Sequence, residues 1–254
     1  MQPVTVTHRE RPTDGDLPTG PAKTERVREM FDVIAPRYDL VNRIMTLGLD
    51  QGWRRATVDA LGLGPGSLVL DLACGTGDLG QIARRRGHAT VGADLSWGML
   101  AARRPGQPVV QADVLRLPFA AAAFDGVVCG YALRNFTDLG ASLTEAGRVL
   151  RPGGRLAVLE VSRPPNGILR LGHRLWFEHG VPLLGRMLSD AAAYRYLPRS
   201  TAYLPDEAGL RQLLRTAGFS TVGRRLLHGG LSQLLTATRV GLPAPAPSGP
   251  GGRS

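Results

Sequence analysis

The sequence predicts an α/β protein: a mostly parallel sheet of seven strands, helices on both faces, and a helical lid ahead of the sheet. Three observations predict this. From residue 67 onward, short apolar runs alternate with helical stretches, the pattern of parallel strands joined by crossover helices. The first run is followed by a glycine-rich turn, Cys74-Gly75-Thr76-Gly77, and a helix start at Asp78. The last two runs, 219–227 and 233–238, read as a closing hairpin.

Taken in order, residues 1–22 mix Pro, Gly, Thr and charge without periodicity and read as an unstructured tail. Thr24 to Ile34 places Val27, Met30, Phe31 and Ile34 on one helical face. Pro36 interrupts, and Tyr38 to Trp53 reads as one less regular helical stretch. Strands are expected at 67–72, 89–93, 108–111, 124–129 and 154–161, with helices at 78–86, 96–103 and 138–150. Asp138 can cap the last of these, and Pro152-Gly153-Gly154 is expected to end it. Residues 167–200, rich in Leu, Arg and aromatics, are expected to form helices over the sheet edge, and Pro205-Asp206 starts a further helix to Ala217. Residues 242–254 form a Pro/Ala/Gly tail. The expected domain is therefore 23–241, with a lid at 24–55, a core at 66–162 and a cover at 163–205.

At 254 residues one domain can bury a sizeable core. No apolar window reaches eighteen residues and no apolar leader precedes the lid, so neither a membrane span nor a secretory signal is expected. The two cysteines, Cys74 and Cys129, suggest no disulfide framework and a reducing, cytoplasmic setting. No His/Cys cluster has metal-ligand spacing, so no metal is expected. The net charge is +10, and Lys23 is the only lysine. The basic residues are dispersed and aromatics are only 6%, which argues against nucleic acid. An anionic membrane surface remains a reading of the charge.

The glycine turn carries the chemistry. Glycines there let backbone approach a ligand, and the helix start presents free N–H groups. Gly75, Gly77 and Gly80 also satisfy the dinucleotide fingerprint, so NAD competes with S-adenosylmethionine. Three acids favour the latter. Asp71, inside the strand, suits a methionine amino group or its waters. Asp94, ending the second strand, can accept both ribose hydroxyls. Asp113, after the third strand, can accept from the adenine amino group while the Val114 N–H donates to the ring. Each acid alone also fits a cap or a solvated loop. Thr76 and Leu95, adjoining the turn and Asp94, and Tyr38 in the lid complete the expected cofactor contacts.

The chain resembles the ubiquinone/menaquinone biosynthesis C-methyltransferases across roughly residues 24–241. The resemblance rests on Phe31-Asp32 through Tyr38-Asp39-Leu40-Val41-Asn42 to Trp53, on Leu133-Arg134-Asn135, and on Arg148-Val149-Leu150-Arg151-Pro152-Gly153-Gly154-Arg155-Leu156 through Glu160-Val161-Ser162. It implies a class I S-adenosylmethionine-dependent (Rossmann-like) methyltransferase fold. It also implies C-methylation of a prenylated demethylquinol, demethylmenaquinol to menaquinol. Val41, Thr46 and Asp50 depart from the family's usual methionine, serine and histidine, and Gly130 stands where serine is expected.

Methyl transfer to a quinol carbon needs a phenolate-like acceptor. Arg134 cannot be a base, because guanidinium stays protonated, but it can stabilise the phenolate. Asn135 can orient the ring oxygen. The competing reading of Arg134 is a salt bridge to an acid such as Asp138. Glu160, Ser162, His173, His179, Tyr194 and Tyr196 are weaker candidates, and Trp176, Phe177, Leu183 and Leu184 can wall a prenyl channel or pack as core. Two other functions stay open: a methyltransferase tailoring aromatic natural products, and a non-catalytic cofactor-binding protein. A bilayer-resident acceptor would bring the enzyme to the inner face of the membrane. The sequence leaves the oligomeric state unknown.

Overall fold

The computed structural model describes residues 19–162, 164–167, 172 and 199–240. Three helices come first: α1 (Gly20–Ile34), α2 (Tyr38–Met45) and α3 (Leu49–Asp59). The core then alternates β1 (Leu68–Leu72), α4 (Asp78–Arg85), β2 (Ala89–Asp94), α5 (Trp97–Ala101), β3 (Val109–Gln111), β4 (Phe124–Gly130), α6 (Leu139–Val149) and β5 (Leu150–Val161). After the cover region come α7 (Glu207–Thr216), β6 (Phe219–Leu227) and β7 (Ser232–Arg239).

The seven strands form one sheet in the order β3-β2-β1-β4-β5-β7-β6. Only β7 runs antiparallel to its neighbours, inserted between β5 and β6. Both faces are covered, as a parallel sheet requires, and side chains alternate between them. Leu70, Leu72, Val127, Leu156 and Val158 meet Leu143 of α6 and Leu210 and Leu214 of α7. Val69, Val128 and Ala157 point the other way, onto Val58 of α3 and Leu79 and Ile82 of α4.

The lid is stitched to the ends of the strands by polar contacts. Lys23 donates from Nζ to the Phe136 carbonyl at 2.8 Å, and its ammonium lies 3.6 Å from the Tyr203 ring centre. The Asp32 carboxylate accepts from Ser96 Oγ at 2.6 Å and from the Gly98 N–H at 2.8 Å. A side chain at Gly98 would meet the Asp32 backbone at 2.7 Å, so glycine is required for this approach. Asp39 accepts from Thr76 Oγ1 at 2.6 Å and from Arg104 Nη2 at 3.0 Å.

Several boundaries differ from expectation for physical reasons. Helix α1 starts at Gly20, inside the expected tail, because Pro21 suits a first helical turn. The stretch 38–53 is two helices, broken where Leu47 and Gly48 take left-handed φ of 51° and 76°. Helix α6 ends at Val149. Leu150 is already extended and pairs with Phe124, so Pro152-Gly153-Gly154 lies at an irregularity in the β4–β5 ladder and not at the helix end. Helix α5 is shorter than the expected 96–103. Most of the expected cover, with His173, His179, Trp176, Phe177, Leu183, Leu184, Tyr194 and Tyr196, lies outside the described residues, as do most of both tails.

Candidate functional site

A cavity of about 870 Å³, counting its open mouth, lies between the lid and the ends of β1 to β4. At one end of it stand Asp113 and Val114, then Asp94, Leu95, Ser96 and Met99, then Ala73 through Thr76. At the other end stand Asp78, Arg54, Tyr38, Gly130, Tyr131 and Asn135, with Phe31 and Phe136 among the apolar walls.

The turn after β1 is fixed from below and from the side. Gly77 takes φ 85°, a left-handed value that opens α4. Asp94 Oδ2 accepts from the Gly75 N–H and Oδ1 from the Ser96 N–H, both at 2.8 Å. A carboxylate offers about four lone-pair sites, so accepting capacity is left for a vicinal diol. Burial raises the Asp94 pKa above the ordinary carboxylate value. Asp113 lines the wall while its Oδ1 accepts from the Leu115 N–H at 2.9 Å. Ala73 and Tyr131, at the ends of β1 and β4, hold left-handed φ of 50° and 60°. Such strain in residues with side chains concentrates at functional sites.

Of the sequence-expected cofactor residues, Gly75, Thr76, Asp94, Leu95, Asp113, Val114 and Tyr38 line the cavity. Two do not. Gly77 shapes the turn from beneath. Asp71 is 1% exposed and accepts from the Gly80 N–H at 2.8 Å, so it braces the turn and α4 and does not reach toward a ligand. Burial pushes its carboxyl up to about 7. Burial also holds the Tyr38 hydroxyl above the ordinary phenol range.

Asn135 lines the cavity, but Arg134 is not among the lining residues. Its guanidinium is buried and committed. Nη1 donates to Glu160 Oε1 at 2.5 Å and to the Tyr131 carbonyl at 2.8 Å, and Nε donates to Ser200 Oγ at 3.1 Å. The competing reading of Arg134, an ion pair, is the one seen, with Glu160 as partner. Asp138 instead caps α6 by accepting from the Ala141 N–H.

Sequence reasoning did not single out Arg54, and it named Asp50 only as a departure from the family pattern and Asp78 only as a helix start. Arg54 Nε lies 3.3 Å from Asp50 Oδ2 and 3.5 Å from Asp78 Oδ2, all three side chains buried. The signal was present: Asp50 and Arg54 are spaced i, i+4 on a helix. Asp50 and Gly130, two of the departures from the family pattern, both border Arg54.

The comparisons with known proteins decide the family. The model of the ubiE/COQ5 methyltransferase family matches residues 20–239. The chain belongs to that family. A demethylmenaquinone methyltransferase of Deinococcus radiodurans is 42% identical over 235 residues, covering 88% of this chain and 96% of the relative. One from Thermus thermophilus is 44% identical, covering 79% of this chain and 99% of its own. A solved SAM-dependent methyltransferase from Thermotoga maritima, described as a possible histamine N-methyltransferase, shares the fold. Its TM-score is 0.60 at 21% identity, over 84% of this chain and 99% of its own. The chain is thus a methyltransferase of the family with the class I fold. Among the described residues, no helix is long and apolar enough to cross a membrane.

Proposed function

We propose that the cavity binds S-adenosylmethionine and that the chain methylates carbon of a prenylated demethylquinol, demethylmenaquinol being converted to menaquinol. The observation that carries the cofactor is the ordered wall: Asp113 and Val114 after β3, Asp94 at the end of β2, and the glycine turn after β1. An adenosine laid across these strand ends meets an acceptor for its amino group, a carboxylate for its diol, and close-approach backbone. The acceptor is supported by the names of relatives that align over nearly their whole length.

Bound S-adenosylmethionine supplies an electrophilic methyl group. The chain's own residues align the acceptor and exclude water. Phe31 and Tyr38 of the lid and Phe136 close over the cavity. Asn135, on the wall, orients an acceptor oxygen. Arg134 acts through its neighbours: it fixes the Tyr131 carbonyl and holds Glu160 at the end of β5, and so positions the Tyr131–Asn135 segment. A bilayer-resident quinol brings the enzyme transiently to the anionic inner face of the membrane, which the +10 charge favours.

The test is anaerobic incubation of the purified chain with labelled S-adenosylmethionine and demethylmenaquinol in anionic vesicles, with mass spectrometry of the quinol. Labelled menaquinol is expected. Transfer only to water-soluble phenols would favour the natural-product reading. Calorimetry showing no binding of S-adenosylhomocysteine would remove the cofactor assignment.

A further inference from the structure

Arg54 is a buried cation with four of its five N–H donors unused among the described residues. It is 6% exposed and lines the cavity. Both flanking acids, Asp50 and Asp78, approach it at Nε. Neither terminal nitrogen has a hydrogen-bond partner among the described residues. Arg54 lines the cavity, so a ligand there can take up these donors. Nη1 lies 3.6 Å from where a Cβ at Gly130 would sit. The absent side chain therefore leaves the guanidinium open to the cavity floor at the end of β4.

Position says which ligand group arrives there. The sheet order β3-β2-β1-β4 sets Asp113, Asp94, the glycine turn and then Gly130 in one row. If adenine and ribose occupy the first two places, the amino-acid part falls on the turn and ends at Gly130 and Arg54. This step rests on the cofactor assignment proposed above. We infer that Arg54 binds the carboxylate of the cofactor's methionine moiety through its two terminal nitrogens. A planar fork of N–H groups matches two carboxylate oxygens, whereas a phenolate of the acceptor offers one. Asp50 and Asp78 hold the Nε edge, which aims the fork and offsets its charge when the site is empty.

The test compares two ligands that share adenosine and a thioether. S-adenosylhomocysteine carries the carboxylate, and 5′-methylthioadenosine lacks the amino acid altogether. Calorimetry on the wild-type chain should find S-adenosylhomocysteine the tighter ligand. Arg54→Met should weaken S-adenosylhomocysteine by roughly 10–100-fold, the scale of a charged hydrogen-bond pair. It should change 5′-methylthioadenosine by no more than about twofold on that scale. Removing Arg54 strands two buried acids, so Arg54→Lys is measured too. It keeps a cation beside them but not the fork, and should show the same selective loss, smaller in size. Equal weakening of both ligands in the folded lysine variant would make Arg54 a wall residue and overturn the inference. Unchanged S-adenosylhomocysteine affinity with slowed turnover would assign Arg54 to the acceptor and overturn it as well. Failure of the wild type to bind either ligand would instead strike the cofactor assignment beneath it.

Discussion

Arg54 and Arg134 are equally buried, at 6% exposure each, yet they are held in opposite ways. Arg134 is enclosed by Glu160, the Tyr131 carbonyl and Ser200. Arg54 is gripped at one edge and open at the other. Burial alone does not tell a structural cation from a binding one; the count of satisfied donors does. An arginine whose donors are used makes local order. One whose terminal donors face a cavity is prepared for an anion.

The largest effect is expected where the commitment is complete. Arg134→Met leaves the Glu160 carboxylate fully buried without its cation. Losing one partner of such a pair costs about 3–5 kcal/mol, measurable as a shift in the urea midpoint. Adding Glu160→Gln should recover a large part, because the stranded charge is then gone. If Arg134→Met instead kept its stability and lost only turnover, the contrast between the two arginines would break, and Arg134 would join the chemistry directly.

These two residues also mark how far the sequence could be read. The sheet, the hairpin and the cavity row at Gly75, Asp94 and Asp113 were legible because each follows from a local signal: an apolar run, a glycine turn, an acid at a strand end. The direction in which a side chain points was not local. Asp71 lies on the same strand as the turn, but period-two alternation and the Gly80 N–H draw it beneath α4. Arg134 sits in a motif, yet its partner Glu160 is supplied from another strand, and no spacing along the chain announces that pair. Arg54 belongs to a helix whose docking onto β4 and β5 is a tertiary event. Only its i, i+4 relation to Asp50 was visible.

Asp71 provides the next test, because it is a buried acid that no cation pairs with among the described residues. Its carboxyl is raised to about 7 by burial, against about 3.9 when unfolded. Between those values the folded state keeps a proton that the unfolded state releases. Stability from this group therefore falls as pH rises from about 4 to 7, by up to about 1.4 kcal/mol per unit, and is flat above. Asp71→Asn keeps an acceptor for the Gly80 N–H and removes the titration. The wild-type-minus-variant difference in unfolding free energy should slope across that window and level off beyond it.

Asp94 sharpens the contrast from the ligand side. Asp94→Ala removes the diol acceptor and the anchor of the Gly75 and Ser96 N–H groups. It should weaken S-adenosylhomocysteine and 5′-methylthioadenosine alike, by about 1–3 kcal/mol, since both carry the ribose. Arg54 variants should separate the two ligands. Calorimetry on both variants thus reads the two ends of the cavity independently, and a selective loss in Asp94→Ala would reverse the assigned direction of the cofactor.

The smallest effect concerns a third cation buried among the described residues, Lys23, which pairs with no acid there and does not line the cavity. It meets the Phe136 carbonyl and the Tyr203 ring, and desolvation lowers its pKa to about 8. An unfolded lysine titrates near 10.4. Between about 8 and 10.4 the unfolded state binds a proton that the folded state lacks, so the stability from this group rises with pH through that window. Lys23→Met keeps the stem against Tyr203 but leaves the Phe136 carbonyl without its donor. The loss should be about 1 kcal/mol, the net scale of one hydrogen bond. It should be greater at pH 9 than at pH 7, because below 8 the wild type carries the cost of burying a charge. Amide exchange in α1, converted to opening free energies at the two pH values, reads this directly. An equal loss at both would mean that the ammonium is solvated in the docked lid, and that α1 is held chiefly by Asp32 on Ser96 and Gly98.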